Sequence, residues 1–239
     1  MSLFKKKQFT PLLTDLHSHL IPKIDDGADS LESSMQMLKA LKKLGFKKII
    51  TTPHIHPKYP NTPGLIIRGL EEVRQAIKKN HLDLELEAAA EYFVDERFLE
   101  RLDKKEDLLT FGNRFLLIEC SFVTRPLFFE TAILRLKSQG YNPILAHPER
   151  YQFLQGDLFW LEKMREAGLY FQVTLSSLTG YYGKTPRKLG EILMKRNLID
   201  FLASDLHKPA QLDWMEKSLR LKGVQKLIQS GKLLNQSLL

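Results

Sequence analysis

One cysteine, Cys120, is all this 239-residue chain contains, so no disulfide can form within it. That fits a reducing compartment. Nowhere do the roughly eighteen apolar residues of a membrane-spanning helix run together, so no membrane span is expected. The opening MSLFKKKQF has lysines but lacks the apolar stretch of a secretory signal, and the chain reads as cytoplasmic. Neither G-x-G-x-x-G nor G-x-x-x-x-G-K-[ST] occurs, which takes weight from the nucleotide-binding open sheets. Low-complexity segments and obvious linkers are also lacking.

A hydrophobic content of 43% and a charged content of 27% are those of an ordinary globular protein. The length suits one barrel-sized domain spanning 1–239, with an N-terminal extension over 1–12 and a helical segment over 210–239. The formal charge of +8 favours an anionic partner at long range. Many lysines lie in helix-like stretches such as LKALKKLG, where a solvated face accounts for them. FKKKQ is too short to argue for nucleic acid or a membrane surface.

Short apolar runs recur along the chain: LLTDLH, FKKIITTPH, LDLELEAAAE, RFLLIECS, NPILAHPE, LYFQVTLSS and LIDFLASDLH. Helix-like segments separate them. Leu31, Met35, Leu38, Leu41 and Leu44 keep helical spacing over 30–44, and Gly45 sits where a helix ends. Helices are also expected over 64–80, 95–105, 126–139, 157–167, 186–197 and 210–222. Strand–helix alternation of this kind implies parallel strands with helical crossovers, in a barrel or a doubly wound sheet.

The reactive residues fall at the ends of these runs. In order they are Asp15-x-His17-x-His19, His54, Glu91, Glu119, His147 and Asp205-x-His207. In a barrel the strand ends converge on one mouth, where barrel enzymes keep their chemistry. Each residue alone is weak evidence; so many together are not. His17 and His19 alternate on an extended segment and point to one side, able to clasp one ion. Imidazoles mixed with carboxylates, without thiolates, suit Mn, Fe, Zn or Co, and the number of donors suits more than one ion, with a carboxylate such as Glu91 bridging. Arg150 follows His147 by three residues in HPERY and offers a permanent cation for phosphate oxygens. The plainer alternative is a salt bridge to a neighbouring acid such as Glu149.

DLHSHLIPKIDDG, TTPH, NPILAHPERY and LASDLH together resemble the polymerase and histidinol phosphatase (PHP) superfamily, and within it the bacterial tyrosine-protein phosphatases of capsule and exopolysaccharide systems. The resemblance spans residues 14 to about 207. It implies a distorted (β/α)7 TIM-like barrel with three divalent ions, usually Mn2+. Carried over, one ion takes His17, His19, Glu91 and Asp205. A second shares Glu91 and adds Glu119 and His147. A third uses Asp26, His54 and His207. Gly27 would allow the turn after Asp26, and Asp15 would orient a histidine. The implied reaction is attack of a metal-bridging hydroxide on phosphotyrosine, with Arg150, Asp205 and His207 as the catalytic residues. The implied partner is a phosphotyrosine protein, such as the tail of a membrane-associated tyrosine kinase.

Cys120 is not needed as a nucleophile. A C-x5-R loop would place its arginine at 126, which is Pro126, and Arg125 is one residue too close. The chain departs from the family pattern after its final Asp-x-His, where an arginine is usual. Here HKPAQLDWM offers only Lys208 as a substitute charge. His56, Lys58, Tyr59 and Asn61 either line the substrate entrance or form a plain loop. Phe128, Phe129, Tyr181 and Tyr182 suit an interface, the core or the pocket, and His81 reads as exposed. Rival readings are another PHP phosphoesterase, acting on a small phosphomonoester or nucleic acid, and an amidohydrolase. The latter often bridges its metals with a lysine where this chain has Glu91. A vestigial binding protein is disfavoured by the complete set of ligand-competent residues.

Overall fold

Seven parallel staves surround a common axis in the computed structural model, which describes residues 9–239. The first eight residues of the expected N-terminal extension, including the lysine run, lie outside the described residues. The strands are β1 (Thr14–Asp15), β2 (Lys48–Thr51), β3 (His54–Ile55), β4 (Glu85–Ala88), β5 (Glu91–Phe93), β6 (Phe115–Glu119), β7 (Asn142–Ala146), β8 (Tyr170–Thr174) and β9 (Phe201–Ala203). They pair as β1-β2-β4 and β3-β5-β6-β7-β8-β9, with every pair parallel.

β2 with β3, and β4 with β5, are single staves broken midway. Pro53 has no N–H to give the ladder, yet pairing continues through the break: Ala89 N donates to Thr51 O and Glu91 N to Pro53 O. The seventh stave returns to the first. Asp205 N donates to His17 O at 2.8 Å and His19 N to Leu206 O at 2.9 Å. The expected α/β class and (β/α)7 barrel are therefore the observed architecture.

The crossovers are α1 (Leu31–Lys43), α2 (Pro63–Lys79), α3 (Glu96–Asp103), α4 (Phe129–Ser138), α5 (Leu158–Glu166) and α6 (Lys184–Lys195). Their starts are written in the sequence: Ser30, Thr62, Asp95 and Asp157 each accept from a backbone N–H of the first turn, and Pro63 opens α2. α1 ends at Gly45, whose φ of 94° lets Phe46 N reach back to Leu41 O.

The expected helix over 210–222 is α7 (Leu212–Leu219), and within the expected helical segment over 210–239 a separate helix, α8 (Lys222–Gln229), follows it. A continuous helix would point Leu219 and Val224 in different directions. The break at Leu221, which is extended, lets both bury completely.

Apolar side chains form two layers. The outer layer lies between strands and helices. The inner one fills the lower barrel with Leu16, Ile50, Ala89, Leu117, Ile144 and Phe201, stoppered by Leu238 from the C-terminal turn Leu234–Leu238. Asn235 in that turn closes the seam between β1 and β9. Its Nδ2 donates to Thr14 O and Leu202 O, and its Oδ1 accepts from Leu202 N. Asn235→Ala leaves these buried groups without partners and is expected to cost about 2–4 kcal/mol. Thermal unfolding beside the exposed control Ser237→Ala checks this; equal melting temperatures would contradict the seam's role.

Candidate metal centre

Every stave but β8 delivers a donor to the upper end of the barrel. β1 runs on into His17 and His19. His54 and Glu91 are opposite one another where β3 and β5 begin, and Glu119 ends β6 opposite Phe93. His147 follows β7, and Asp205 and His207 follow β9. His147 and Asp205 adopt positive φ, 37° and 50°. Such backbone costs about 1–3 kcal/mol per residue and concentrates at functional sites.

Asp26 arrives on the loop before α1. Gly27 is required there for a reason other than the expected one. Its φ is not positive; a Cβ would lie 2.2 Å from His19 O, so only glycine lets the loop lie against His19.

Asp26, His54, Glu91, Glu119, His147, Asp205 and His207 line one cavity of about 270 Å³ with Phe122, Arg150, Tyr182 and Lys208. His17 and His19 lie buried beneath it. Glu91 is central. Its Oε2 is 3.2 Å from His17 Nε2, 3.5 Å from His19 Nε2 and 3.1 Å from His54 Nδ1, and its Oε1 is 3.1 Å from His147 Nε2. Asp205 Oδ1 is 3.3 Å from His17 and 3.9 Å from His19. His54 Nε2 and His207 Nε2 approach Asp26 Oδ1 to 3.5 and 3.6 Å. Glu119 lies 2.9 Å from His54 Nδ1 and 4.0 Å from His147. His54 thus faces Glu91 and Glu119 with one nitrogen and Asp26 with the other.

The hydrogen bonds fix which nitrogens are free. His17 Nδ1 donates to Gln172 Oε1 and His19 Nδ1 to Asp25 Oδ2, both at 2.8 Å. Gln172 Nε2 faces Thr174 Oγ1, which orients its amide. In the neutral imidazoles both Nε2 atoms then carry lone pairs, 3.2 Å apart and aimed at carboxylates. Lone pairs facing lone pairs and carboxylates call for a cation between them. Buried Glu91 Oε2, His54 Nδ1 and His147 Nδ1 also lack hydrogen-bond partners. The donor set fits divalent ions, in four overlapping groups: His19–His54–His207, His17–His19–Asp205, His17–Glu91–His147 and His54–Glu91–Glu119.

Without ions the cluster holds protons. Burial opposes charge on His17, but Glu91 and Asp205 override it and push its pKa up to about 9. His54 is raised further, with Glu91 the main cause against burial. Glu91 and Asp205 are held low despite burial, chiefly by His17. Burial and neighbouring His19 bring His207 down to about 4.

The metal-free protein should therefore lose stability as pH rises from 6.5 to 9. A raised histidine pKa stabilises fully below 6.5, and that contribution fades as His17 deprotonates. His207, neutral when folded, is still half-protonated in the unfolded chain at pH 6.5, so it adds a smaller opposing slope that is spent by about pH 7.5. Affinity for a divalent ion runs the other way, rising with pH as the proton it displaces becomes easier to remove. Melting curves and ion titrations in buffers of different ionisation heat check both signs; a flat metal-free melting temperature would contradict the assignment.

Several expected roles move. Asp15 does not orient a histidine. Its carboxylate accepts from Ser204 N and Ser204 Oγ, tying β1 to β9. Asp25 and Gln172 orient the histidines instead. Arg150 does not pair with Glu149, which is buried and accepts from Thr174 N and Ser177 Oγ. Arg150 Nη1 donates to Asp205 Oδ2 at 2.7 Å. Lys208 lines the cavity, but its Nζ donates to Gly27 O. Asn61 is buried and donates to Ile24 O and His54 O, and the Tyr59 ring stacks on His54. Phe129 is in the core, Phe128 packs against it, and His81 is exposed. Cys120 is buried, its thiol pushed up to about 12 by burial and then by Glu119, so it stays protonated.

Fold and site together define a parallel α/β barrel with a histidine–carboxylate cluster for divalent ions at its mouth. The chain belongs to the capsular polysaccharide synthesis CpsB/CapC family, whose model matches residues 13–226. It is 31% identical to the putative tyrosine-protein phosphatase CapC of Staphylococcus aureus, over 87% of this chain and 82% of that one. It is also 31% identical to the tyrosine-protein phosphatase YwqE of Bacillus subtilis, over 82% and 77%. A crystal structure from work on YwqE and on CpsB of Streptococcus pneumoniae, described there as metal-dependent tyrosine phosphatases, superposes with a TM-score of 0.82. The identity is 27%, over 92% of this chain and 93% of the other.

Proposed function

We propose that this chain is a metal-dependent protein-tyrosine phosphatase, acting in the cytoplasm on a bacterial tyrosine kinase of capsule or exopolysaccharide synthesis. The observation that carries the reading is Arg150 at the wall of the donor-lined cavity, in a chain 31% identical to named tyrosine phosphatases. The proposed occupancy is three divalent ions, manganese by expectation. His17, His19, Glu91 and Asp205 would hold the first, Glu91, Glu119 and His147 the second, and Asp26, His54 and His207 the third. The short donor distances around Glu91 and the pair of contacts to Asp26 support this division. Bound there, divalent ions take up phosphoryl charge and lower the pKa of an attacking water.

The side chains supply the rest. Arg150 has one side-chain hydrogen bond among the described residues, to Asp205, which leaves its other N–H groups for phosphoryl oxygens. Asp205 Oδ2 anchors that guanidinium while Oδ1 faces the histidines. His207 Nε2 faces Asp26 Oδ1 at 3.6 Å, and both line the cavity. Among the described residues, no helix is long and apolar enough to cross a membrane, so a membrane kinase would present its tail to this site.

The test compares hydrolysis of a phosphotyrosine peptide and a phosphoserine peptide, after chelation and after manganese is restored. Manganese-dependent activity selective for phosphotyrosine supports the reading. Metal-dependent activity without that selectivity would move the substrate to a small phosphomonoester or nucleic acid. Activity that survives chelation would sink the metal-dependent mechanism.

A further inference from the structure

Tyr182 lies on the two-residue loop Tyr181–Tyr182, between Gly180 and Gly183, whose φ values are 95° and 100°. Its ring centroid is 4.1 Å from the centre of the Arg150 guanidinium, and the Phe122 ring is 4.6 Å from the same group. Arg150 thus makes cation–π contacts with two aromatic rings. The Tyr182 hydroxyl donates to Asp205 Oδ2 at 3.3 Å and accepts from Gln211 Nε2 at 3.1 Å. Tyr181 meets Tyr182 edge-on at 4.9 Å and also lines the cavity.

Two consequences follow. With two rings packed against it, the guanidinium is left its N–H edge to offer a ligand, which is the geometry a phosphoryl group uses. The rings that cover it are also cavity walls above the donor cluster. A phosphate ester seated on Arg150 and the cluster would bring its organic group against Phe122, Tyr181 and Tyr182, which line the same cavity. A phenyl ring fills that space with aromatic contacts, whereas a short alkyl group leaves it unfilled.

We propose that Tyr182 is the specificity-determining residue of this site, selecting aryl over alkyl phosphate esters while holding Arg150 edge-on to the phosphoryl group. This rests on the phosphatase reading above. It adds the means by which phosphotyrosine is distinguished from phosphoserine, and it assigns that task to a residue outside the metal cluster.

The experiment is a calorimetric titration of the manganese-supplemented protein with phenylphosphonate and with methylphosphonate, neither of which can be hydrolysed as an ester. Hydrolysis of phosphotyrosine and phosphoserine peptides is followed beside it. Wild type should bind phenylphosphonate tighter by on the order of tenfold. Tyr182→Phe keeps the ring and should keep that ratio. Tyr182→Leu should lose it and should raise KM for the phosphotyrosine peptide more than it lowers kcat. Phe122→Leu removes the opposite wall and should narrow the ratio too; it decides the matter if Tyr182→Leu does not fold. A preference unchanged in the leucine variants would overturn the proposal. A wild type that hydrolyses phosphotyrosine but binds both phosphonates equally would overturn it while leaving the phosphatase reading intact. A wild type that binds neither phosphonate and hydrolyses neither peptide would overturn that reading itself.

Discussion

Glu91→Gln is expected to lower turnover of a phosphotyrosine peptide by on the order of 10³-fold or more and to strip the protein of much of its divalent metal. The size follows from how many partners one carboxylate serves. Glu91 is wholly buried and lies within 3.5 Å of His17, His19, His54 and His147. Glutamine keeps the shape but replaces one oxygen with an N–H donor and removes the only charge common to those four imidazoles. Ions held close together would repel, and a carboxylate shared between them, the role proposed for Glu91, would offset that repulsion. The metal-free protein should tolerate the change better, because the histidines can release their protons once the counter-charge is gone. Metal content by mass spectrometry and unfolding of the chelated protein separate these two effects. A variant that keeps full metal content and full activity would remove Glu91 from the centre of the site.

The barrel was legible because its apolar runs are short, regularly repeated and terminated by charged or imidazole side chains. One polarity pattern thus encodes both stave and site, and His17, Glu91 and Asp205 could be picked from it. Residues that act across the barrel leave no such trace. Gln172 sits inside the strand YFQVT and bonds His17, 155 positions away. Its only signal is a buried polar residue on the same face as Tyr170 and Thr174, two residues to either side. Asp25 and Asp26 are indistinguishable as letters; burial sends one under His19 and leaves the other at the cavity. Asp15 looked like a histidine's partner because it is near in sequence, but barrel closure brings Ser204 nearer in space. The C-terminal seam escaped for the same reason: Asn235 meets Thr14 only once the chain has closed on itself.

Arg150→Met should lower kcat/KM for the phosphotyrosine peptide by about 10²–10³-fold, the range for removing one preorganised charge-stabilising donor, while leaving metal content near the wild-type level. Methionine preserves the volume between Phe122 and Tyr182 but contributes no N–H edge. Arg150→Lys should recover little of the loss. An ammonium is a point charge that cannot lie flat against an aromatic ring and present a fork to the phosphoryl group. The competing role for Arg150 is to hold Asp205, since both Arg150 and Tyr182 converge on Oδ2. The two roles differ in what they disturb. If Arg150 binds phosphate, the methionine variant loses affinity for phenylphosphonate and keeps its metal. If Arg150 mainly props Asp205, metal is lost first, and phosphonate binding recovers when manganese is raised to saturation. Oδ1 of Asp205 faces His17 at 3.3 Å, and Tyr182 still holds Oδ2 when Arg150 is gone. The carboxylate therefore keeps an anchor in the methionine variant, which is why loss of substrate binding, rather than loss of metal, is the expected result.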